Sequence, residues 1–302
     1  MFYQSVRRLC SMAICTMSCV TQVYAEPVSE PQPVIMTLPD SYYVDWQVAK
    51  QDAPYRVFIS VPEGEAPADG FPVVYLMDGN AFFSSAVITS KKLMHPRFEN
   101  KQPAIIVGLG YPIEGTHDTE RRWLDLTPPT LAPPVMPKKH MARFKDMTFG
   151  GGKQTLSLLV DDIRPWLAKQ YPINEDQQIL FGHSLGGLFT LYALNTRPEA
   201  FNGYSAISPS LWWNNGYLKP LLAKQESTSR TGKQIFIVMG EQEADYMLED
   251  AQWAQDRFTE QGLDSEYRIL PYMNHGTVAP PALTMALEKL LPEKPKITAP
   301  ES

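Results

Sequence analysis

The stretch Ile179-Leu180-Phe181-Gly182-His183-Ser184-Leu185-Gly186-Gly187-Leu188-Phe189 decides how the rest of the chain is read. An apolar run enters a serine that has glycine two places before and two places after it. An Ala/Leu-rich segment follows as far as Thr196 and is closed by Arg197-Pro198. This is the order strand, tight turn, helix. In such a turn, side chains at positions 182 and 186 would collide with the serine's neighbours, so glycine is the residue that fits. The turn lifts the Ser184 hydroxyl clear of a sheet and aims the first amides of the helix at the same point. Ser184 is therefore the candidate nucleophile, and the Leu185 N–H a candidate donor to an oxyanion.

Outward from this elbow, β-branched apolar runs recur at 55–61, 71–77, 104–110, 178–181, 203–207, 234–239 and 267–272. Helical patterns separate the later ones, chiefly at 153–170, 185–196, 245–261 and 277–290. A leading antiparallel meander followed by strand–helix alternation predicts a mostly parallel sheet covered on both faces. With the elbow after a central strand, the fold class is α/β with α/β-hydrolase architecture. The segment 127–152 breaks the alternation. It carries five prolines, a basic cluster (Lys138, Lys139, His140, Arg143, Lys145) and Gly150-Gly151-Gly152, and reads as a cap-like insertion or a surface loop.

The N-terminus shows Arg7-Arg8, an apolar run from Leu9 to Val20 and Val23-Tyr24-Ala25 before Glu26. That is the pattern of a secretory signal peptide over 1–25, with a core too short to span a bilayer. Cys10, Cys15 and Cys19 all lie within it, so the mature protein is expected to be free of thiols and disulfides in an oxidising compartment, the periplasm. Residues 26–36 and the proline-rich 292–302 read as flexible ends around a hydrolase domain over 37–291. The full chain has a formal net charge of −6, and loss of a leader holding two arginines and no acid makes it more negative. Such a balance gives no general attraction to nucleic acid. Neither a metal nor another cofactor is expected, since no His/Cys/Asp cluster has ligand spacing.

A serine hydroxyl needs a neighbouring base. Of five histidines, His183 is fixed in the elbow, and His95, His117 and His140 precede it. His275 follows the last strand in Met273-Asn274-His275-Gly276-Thr277, where hydrolases of this fold bring the base. The acid belongs after the preceding strand, where Glu241, Glu243 and Asp245 compete. Glu243 is preferred, because Glu241 is close enough to the strand end to pair locally and Asp245 reads as a helix N-cap. A Ser–His dyad without an acid stays open. The second oxyanion donor is expected from the loop Met77-Asp78-Gly79-Asn80-Ala81-Phe82, from the amide of Gly79 or Asn80, with Asp78 tying the loop together. On the rim, Arg121 and Arg122 either clamp a substrate anion or leave Arg122 paired with Asp125. Trp212 and Trp213 either form an aromatic wall or pack as core.

The elbow Gly-His-Ser-Leu-Gly-Gly-Leu-Phe, the Ser-Pro-Ser-Leu-Trp-Trp-Asn segment from Ser208, the Arg-x-x-Asp-x-Thr-Pro run from Arg122 and the Asn-His-Gly turn at 274–276 resemble the Putative-esterase family of α/β-hydrolases. Within it they look most like periplasmic siderophore esterases that open enterobactin and its glucosylated forms. The resemblance runs from about residue 37 to residue 291. It implies Ser184 as nucleophile, His275 as base and Arg122, with Arg121 as alternate, near the oxyanion site. It also implies a family in which the triad can be incomplete. The expected activity is ester (lactone) hydrolysis on a small-molecule siderophore or its ferric complex. The competing readings are a broad carboxylesterase or acyl-thioester hydrolase, and a non-catalytic module that binds an iron chelate.

Overall fold

The computed structural model describes residues 37–48, 53–95, 97, 100–130, 134–135, 147–224 and 230–295. The leader, residues 26–36, and the basic cluster Lys138, Lys139, His140, Arg143 and Lys145 lie outside the described residues.

Strands β2 (Tyr55–Ser60), β3 (Phe71–Met77), β4 (Ile105–Gly110), β6 (Gly203–Ile207) and β7 (Gln234–Gly240) occupy the apolar runs of the sequence, whereas β5 (Ile173–His183) and β8 (Asp264–Leu270) start before the runs at 178–181 and 267–272. An eighth strand, β1 (Ser41–Trp46), was not among those expected, because half its residues face solvent and its composition is mixed. It is pinned at the sheet edge by antiparallel pairing with β2, where Asp45 sits opposite Arg56 and accepts two hydrogen bonds from its guanidinium at 2.8 and 2.9 Å. The sheet order is β1-β2-β4-β3-β5-β6-β7-β8, antiparallel across β1, β2 and β4 and parallel thereafter.

The inner strands bury both faces. Val73, Tyr75 and Met77 of β3 join one apolar layer, while Val74 and Leu76 join the other, as a side-chain period of two requires. On the second face lie α1 (Gly79–Leu93) and, at the chain's end, the helix Ala279–Leu290, through Phe82, Phe83, Ala86 and Leu283. On the first lie α2 (Thr119–Asp125), α3 (Gly152–Ser157), α4 (Arg164–Gln170), α5 (Leu185–Thr196), α6 (Leu218–Lys224) and α7 (Asp245–Glu260). The helix Ala279–Leu290 is α8.

Three expectations are corrected. The helix read over 153–170 is interrupted by a π-helical turn, Leu158–Ile163. Pro165 in the first turn of α4 has no N–H to give back to the preceding turn, which accounts for the local widening. The loop read after Met77 is a helix start, since α1 begins at Gly79. The tail read as flexible from 292 is held at its root: Glu293 bridges Lys101, Pro292 O accepts from Gln102 N at 2.8 Å, and Lys294 N donates to Asn100 O at 2.9 Å.

After β3 the chain turns to β4 on one side, and after β4 it returns to place β5 on the other. The crevice at the carboxyl ends of β3 and β5 is therefore a topological switch point, where sheets of this kind bind ligands.

Candidate active site

Ser184 follows the last residue of β5 and precedes α5, with φ 62 and ψ −114. The sterics around the serine are severe: a Cβ on Gly182 would lie 2.1 Å from Gly186 O, and one on Gly187, just past the motif, would lie 2.8 Å from Ile207 O. The turn is fastened by Ser184 N to Ile207 O at 2.9 Å and by Leu188 N to Ser184 O at 3.0 Å. Strain of this kind persists only where its surroundings hold it.

His275 arrives on the turn after β8, and its Nε2 lies 3.0 Å from Ser184 Oγ. Its Nδ1 lies 2.8 Å from Glu243 Oε2. Because the ionised carboxylate only accepts, Nδ1 carries the proton and Nε2 is left to accept the serine hydroxyl. The Glu243 side chain is fully buried, whereas that of His275 is 41% exposed, so solvent reaches the imidazole and not the acid. Burial pushes the Glu243 carboxyl up, but hydrogen bonds from His275, Ser208 and Gly240 N–H outweigh it and hold it below the usual glutamate value. The turn carrying His275 is stitched by Asn274, whose Oδ1 accepts from Gly276 N at 2.9 Å. It is also tied to the elbow, since His183 Nε2 donates to His275 O at 2.9 Å. His183 is kept neutral: burial first, and the neighbouring His275 second, push it down to about 4.

Of the three competing carboxylates, the structure brings only Glu243 to His275. Glu241 is exposed and accepts from Tyr272 N at 2.9 Å. Asp245 is the first residue of α7 and not its cap, which is Ala244.

The starts of α1 and α5 meet at the switch point. A Cβ on Gly186 would touch Met77 Cβ at 3.2 Å, and one on Gly79 would meet Gly108 at 2.7 Å. Leu185, Gly79 and Asn80 thus stand in the first turns of two adjacent helices, where N–H groups lack intrahelical acceptors. The Asn80 side chain is spent on the loop after β4: Oδ1 accepts from Tyr111 N at 2.8 Å and Nδ2 donates to Tyr111 O at 2.9 Å. Only its backbone amide remains a candidate donor.

Arg122 does not take the expected pairing with Asp125. Arg122 pairs with Asp78, donating from Nε and Nη2 to its two carboxylate oxygens at 2.9 Å each. Asp78 is buried in left-handed backbone at φ 54. Burial would raise its carboxyl, and the Arg122 guanidinium reverses that and holds it low. It is Arg121, not Arg122, that approaches Asp125, at 3.8 Å. Arg121 also donates to Pro54 O at 2.6 Å and lies over the rings of Tyr55 and Tyr111 at 4.5 and 4.6 Å. Adjacent helical residues point about 100° apart, so Arg122 reaches the cleft and Arg121 turns away from it.

The cleft has a volume of about 470 Å³, and Ser184, His275, Arg122, His117, Phe82 and Trp123 are among its walls. Of the two arrangements left open for Trp212 and Trp213, the structure shows packing and not a wall of the cleft. Trp213 is fully buried core, and Trp212 is partly buried, edge-on to Trp123 at a centroid distance of 6.5 Å. Phe82 and Trp123, both largely buried, line the cleft.

The family described as Putative esterase matches residues 49–277. The chain belongs to this esterase family. It is 32% identical over 257 residues to ferri-bacillibactin esterase BesA of Bacillus subtilis (strain 168), covering 81% of this chain and 87% of that one. It is 38% identical over 180 residues to siderophore enterobactin esterase of Emericella nidulans, covering 56% of this chain and 58% of the relative, so that match spans little more than half of each. Among solved structures, the BES protein from Bacillus cereus aligns with a TM-score of 0.75 at 29% identity, covering 87% of this chain and 99% of that one.

Among the cleft residues that sequence reasoning missed are Phe82, His117 and Trp123. Trp123 had a signal, since it follows directly on the two arginines. His117 was set aside for preceding the elbow, yet the loop after β4 returns it to the cleft. Burial lowers its proton affinity against the pull of Asp78. Phe82 carries no sequence signal as a cleft residue, because Gly79-Asn80 has the composition of a turn although α1 starts there.

Proposed function

We propose that this esterase-family member is a serine esterase that hydrolyses the lactone bonds of a catecholate siderophore such as enterobactin, and that it does so in the periplasm to aid iron release. The observation that carries the reading is the continuous run Ser184 Oγ, His275, Glu243, at 3.0 and 2.8 Å, opening into a cleft with aromatic walls. The substrate class is supported by relatives named for the esters of enterobactin and ferri-bacillibactin. The compartment is supported by the leader-like residues 1–25.

In this mechanism Ser184 Oγ attacks the ester carbonyl as His275 Nε2 takes its proton, and Glu243 stabilises the imidazolium. The Leu185 N–H, with that of Gly79 or Asn80, holds the oxyanion, and Arg122 supplies positive charge on the same side. Collapse of the tetrahedral intermediate breaks the ester C–O bond, and His275 returns the proton to the leaving alkoxide. Water, deprotonated by His275, then cleaves the acyl-enzyme, releasing the acid and restoring Ser184 Oγ–H. Phe82 and Trp123 give the cleft an apolar, aromatic lining suited to catechol rings.

The test is mass-spectrometric analysis of products from iron-free and ferric enterobactin with the protein and its Ser184→Ala variant. Stepwise linear trimer, dimer and monomer, absent with the variant, is the expected result. Cleavage of simple esters alone would overturn the substrate. Binding of the ferric complex with no hydrolysis of any ester would overturn the enzymatic reading.

A further inference from the structure

Ser184 is one of two strained serines at the site. β5 and β6 run parallel with His183 paired to Ile207, and each strand is followed by a serine in left-handed backbone, Ser184 at φ 62 and Ser208 at φ 45. Ser208 is fully buried, and its N–H donates to Val238 O of β7 at 2.8 Å. Pro209 follows it, a neighbour that favours extended backbone for residue 208. A buried non-glycine residue held in this way is costly and clusters at functional sites.

The Ser208 hydroxyl donates to Glu243 Oε1 at 2.5 Å, and Gly240 N donates to the same oxygen at 2.8 Å. Both donors load Oε1, which leaves Oε2 to His275. The same turn reaches back to the nucleophile, where Ser210 N donates to Ser184 O at 3.1 Å. The mechanism above gives Ser208 no step of its own.

We infer that Ser208 is a positioning residue: its buried hydroxyl locks the Glu243 carboxylate in the orientation that presents Oε2 to His275. Two strained serines on neighbouring strands thus close one chain, Ser184–His275–Glu243–Ser208. A fixed carboxylate holds the imidazole in one tautomer through the whole reaction, whereas a carboxylate with one donor on Oε1 is free to rotate about its terminal bond. The inference rests on the serine-esterase reading and sharpens it.

The experiment uses the full chain with Ser208→Ala and Ser208→Gly. The glycine variant removes the hydroxyl while suiting the positive φ, so it keeps the test valid where alanine fails to fold. Each is made alone and with Glu243→Gln, and kinetics are measured on a 4-nitrophenyl ester. The low-field proton resonance of the His275–Glu243 hydrogen bond is recorded in each protein and in Ser184→Ala. Loss of a hydrogen bond to a charged group predicts a fall in kcat of about 10- to 100-fold with KM little changed. In the Glu243→Gln background the same substitution is expected to cost about twofold or less, because residues that act through one another are not additive. The resonance is expected to shift or vanish in both Ser208 variants and to persist in Ser184→Ala. A kcat near that of the unmodified protein with an unmoved resonance, or an equal loss in both backgrounds, overturns the inference. Hydrolysis retained by Ser184→Ala would instead overturn the serine-esterase reading, and the resonance would still report on Ser208.

Discussion

Two buried carboxylates flank the cleft, Glu243 and Asp78, and they are held in opposite ways. Asp78 is gripped by a guanidinium that is always charged, through two bonds of 2.9 Å. Glu243 is gripped by a hydroxyl, an amide and an imidazole, and in the proposed mechanism the imidazole is the one of these that takes up a proton. The first region is a fixed frame that places α1 against α2. In the second, under the mechanism we propose, charge appears and disappears during turnover. Burial is similar on both sides, so what separates frame from catalyst is whether the partner can change its charge.

The sharpest way to break this contrast is to neutralise each acid in turn. Glu243→Gln is expected to lower kcat by as much as about 10⁴-fold while moving the melting temperature little, because the amide no longer selects the right imidazole tautomer. Equal activity in that variant would reduce the site to a Ser–His dyad. Asp78→Asn is expected to give the reverse signature. Leaving Arg122 buried without its carboxylate costs about 3–5 kcal/mol in denaturant unfolding. A variant as stable as the unmodified protein would remove Asp78 from the frame.

A third prediction uses pH. Burial holds His183 down to about 4 in the folded protein, so the unfolded chain binds its proton first as pH falls from about 6.5. Stability is therefore lost as pH falls through the window from about 6.5 to about 4, by at most roughly 3 kcal/mol, and this contribution levels off below it. Asp78 and Glu243, both held low, keep their stabilisation above the ordinary carboxylate range and lose it only at more acid pH. Urea unfolding across pH 4 to 7 is expected to show the loss, and His183→Gln to flatten it. A slope unchanged by that substitution would assign the loss to another group. The smallest effect is expected at Arg121. Its guanidinium lies over two tyrosine rings outside the cleft, so Arg121→Gln is expected to cost about 1 kcal/mol of stability and to leave KM for the siderophore unchanged. A clear rise in KM would return Arg121 to the substrate.

How much of this was legible in the sequence depended on whether a residue answers to local sterics or to its neighbours in space. The elbow was legible because Gly182 obeys a collision with Gly186 O that the local chain itself creates, although Gly186 answers to Met77 of β3. His275 was legible through chain order, and Glu243 through competition among three carboxylates on one short loop. Arg121 and Arg122 were not separable, because which of two adjacent helical residues enters the cleft is fixed by how α2 docks. The Trp212-Trp213 pair failed in the same way. β1 failed because a half-exposed edge strand has no apolar run, and α1 because Gly79-Asn80 has the composition of a turn although Phe82, Phe83 and Ala86 bury a helical face.

The central claim is that Ser184 forms a covalent ester with a siderophore carbonyl, and acid-quenched peptide mapping tests it most directly. Attack on a cyclic trilactone opens the ring without releasing a fragment, so the adduct should carry the mass of the whole substrate. That mass is expected on the peptide containing Ser184, in the first turnover, and none in Ser184→Ala. An adduct on another residue, or hydrolysis by Ser184→Ala at an undiminished rate, would contradict it.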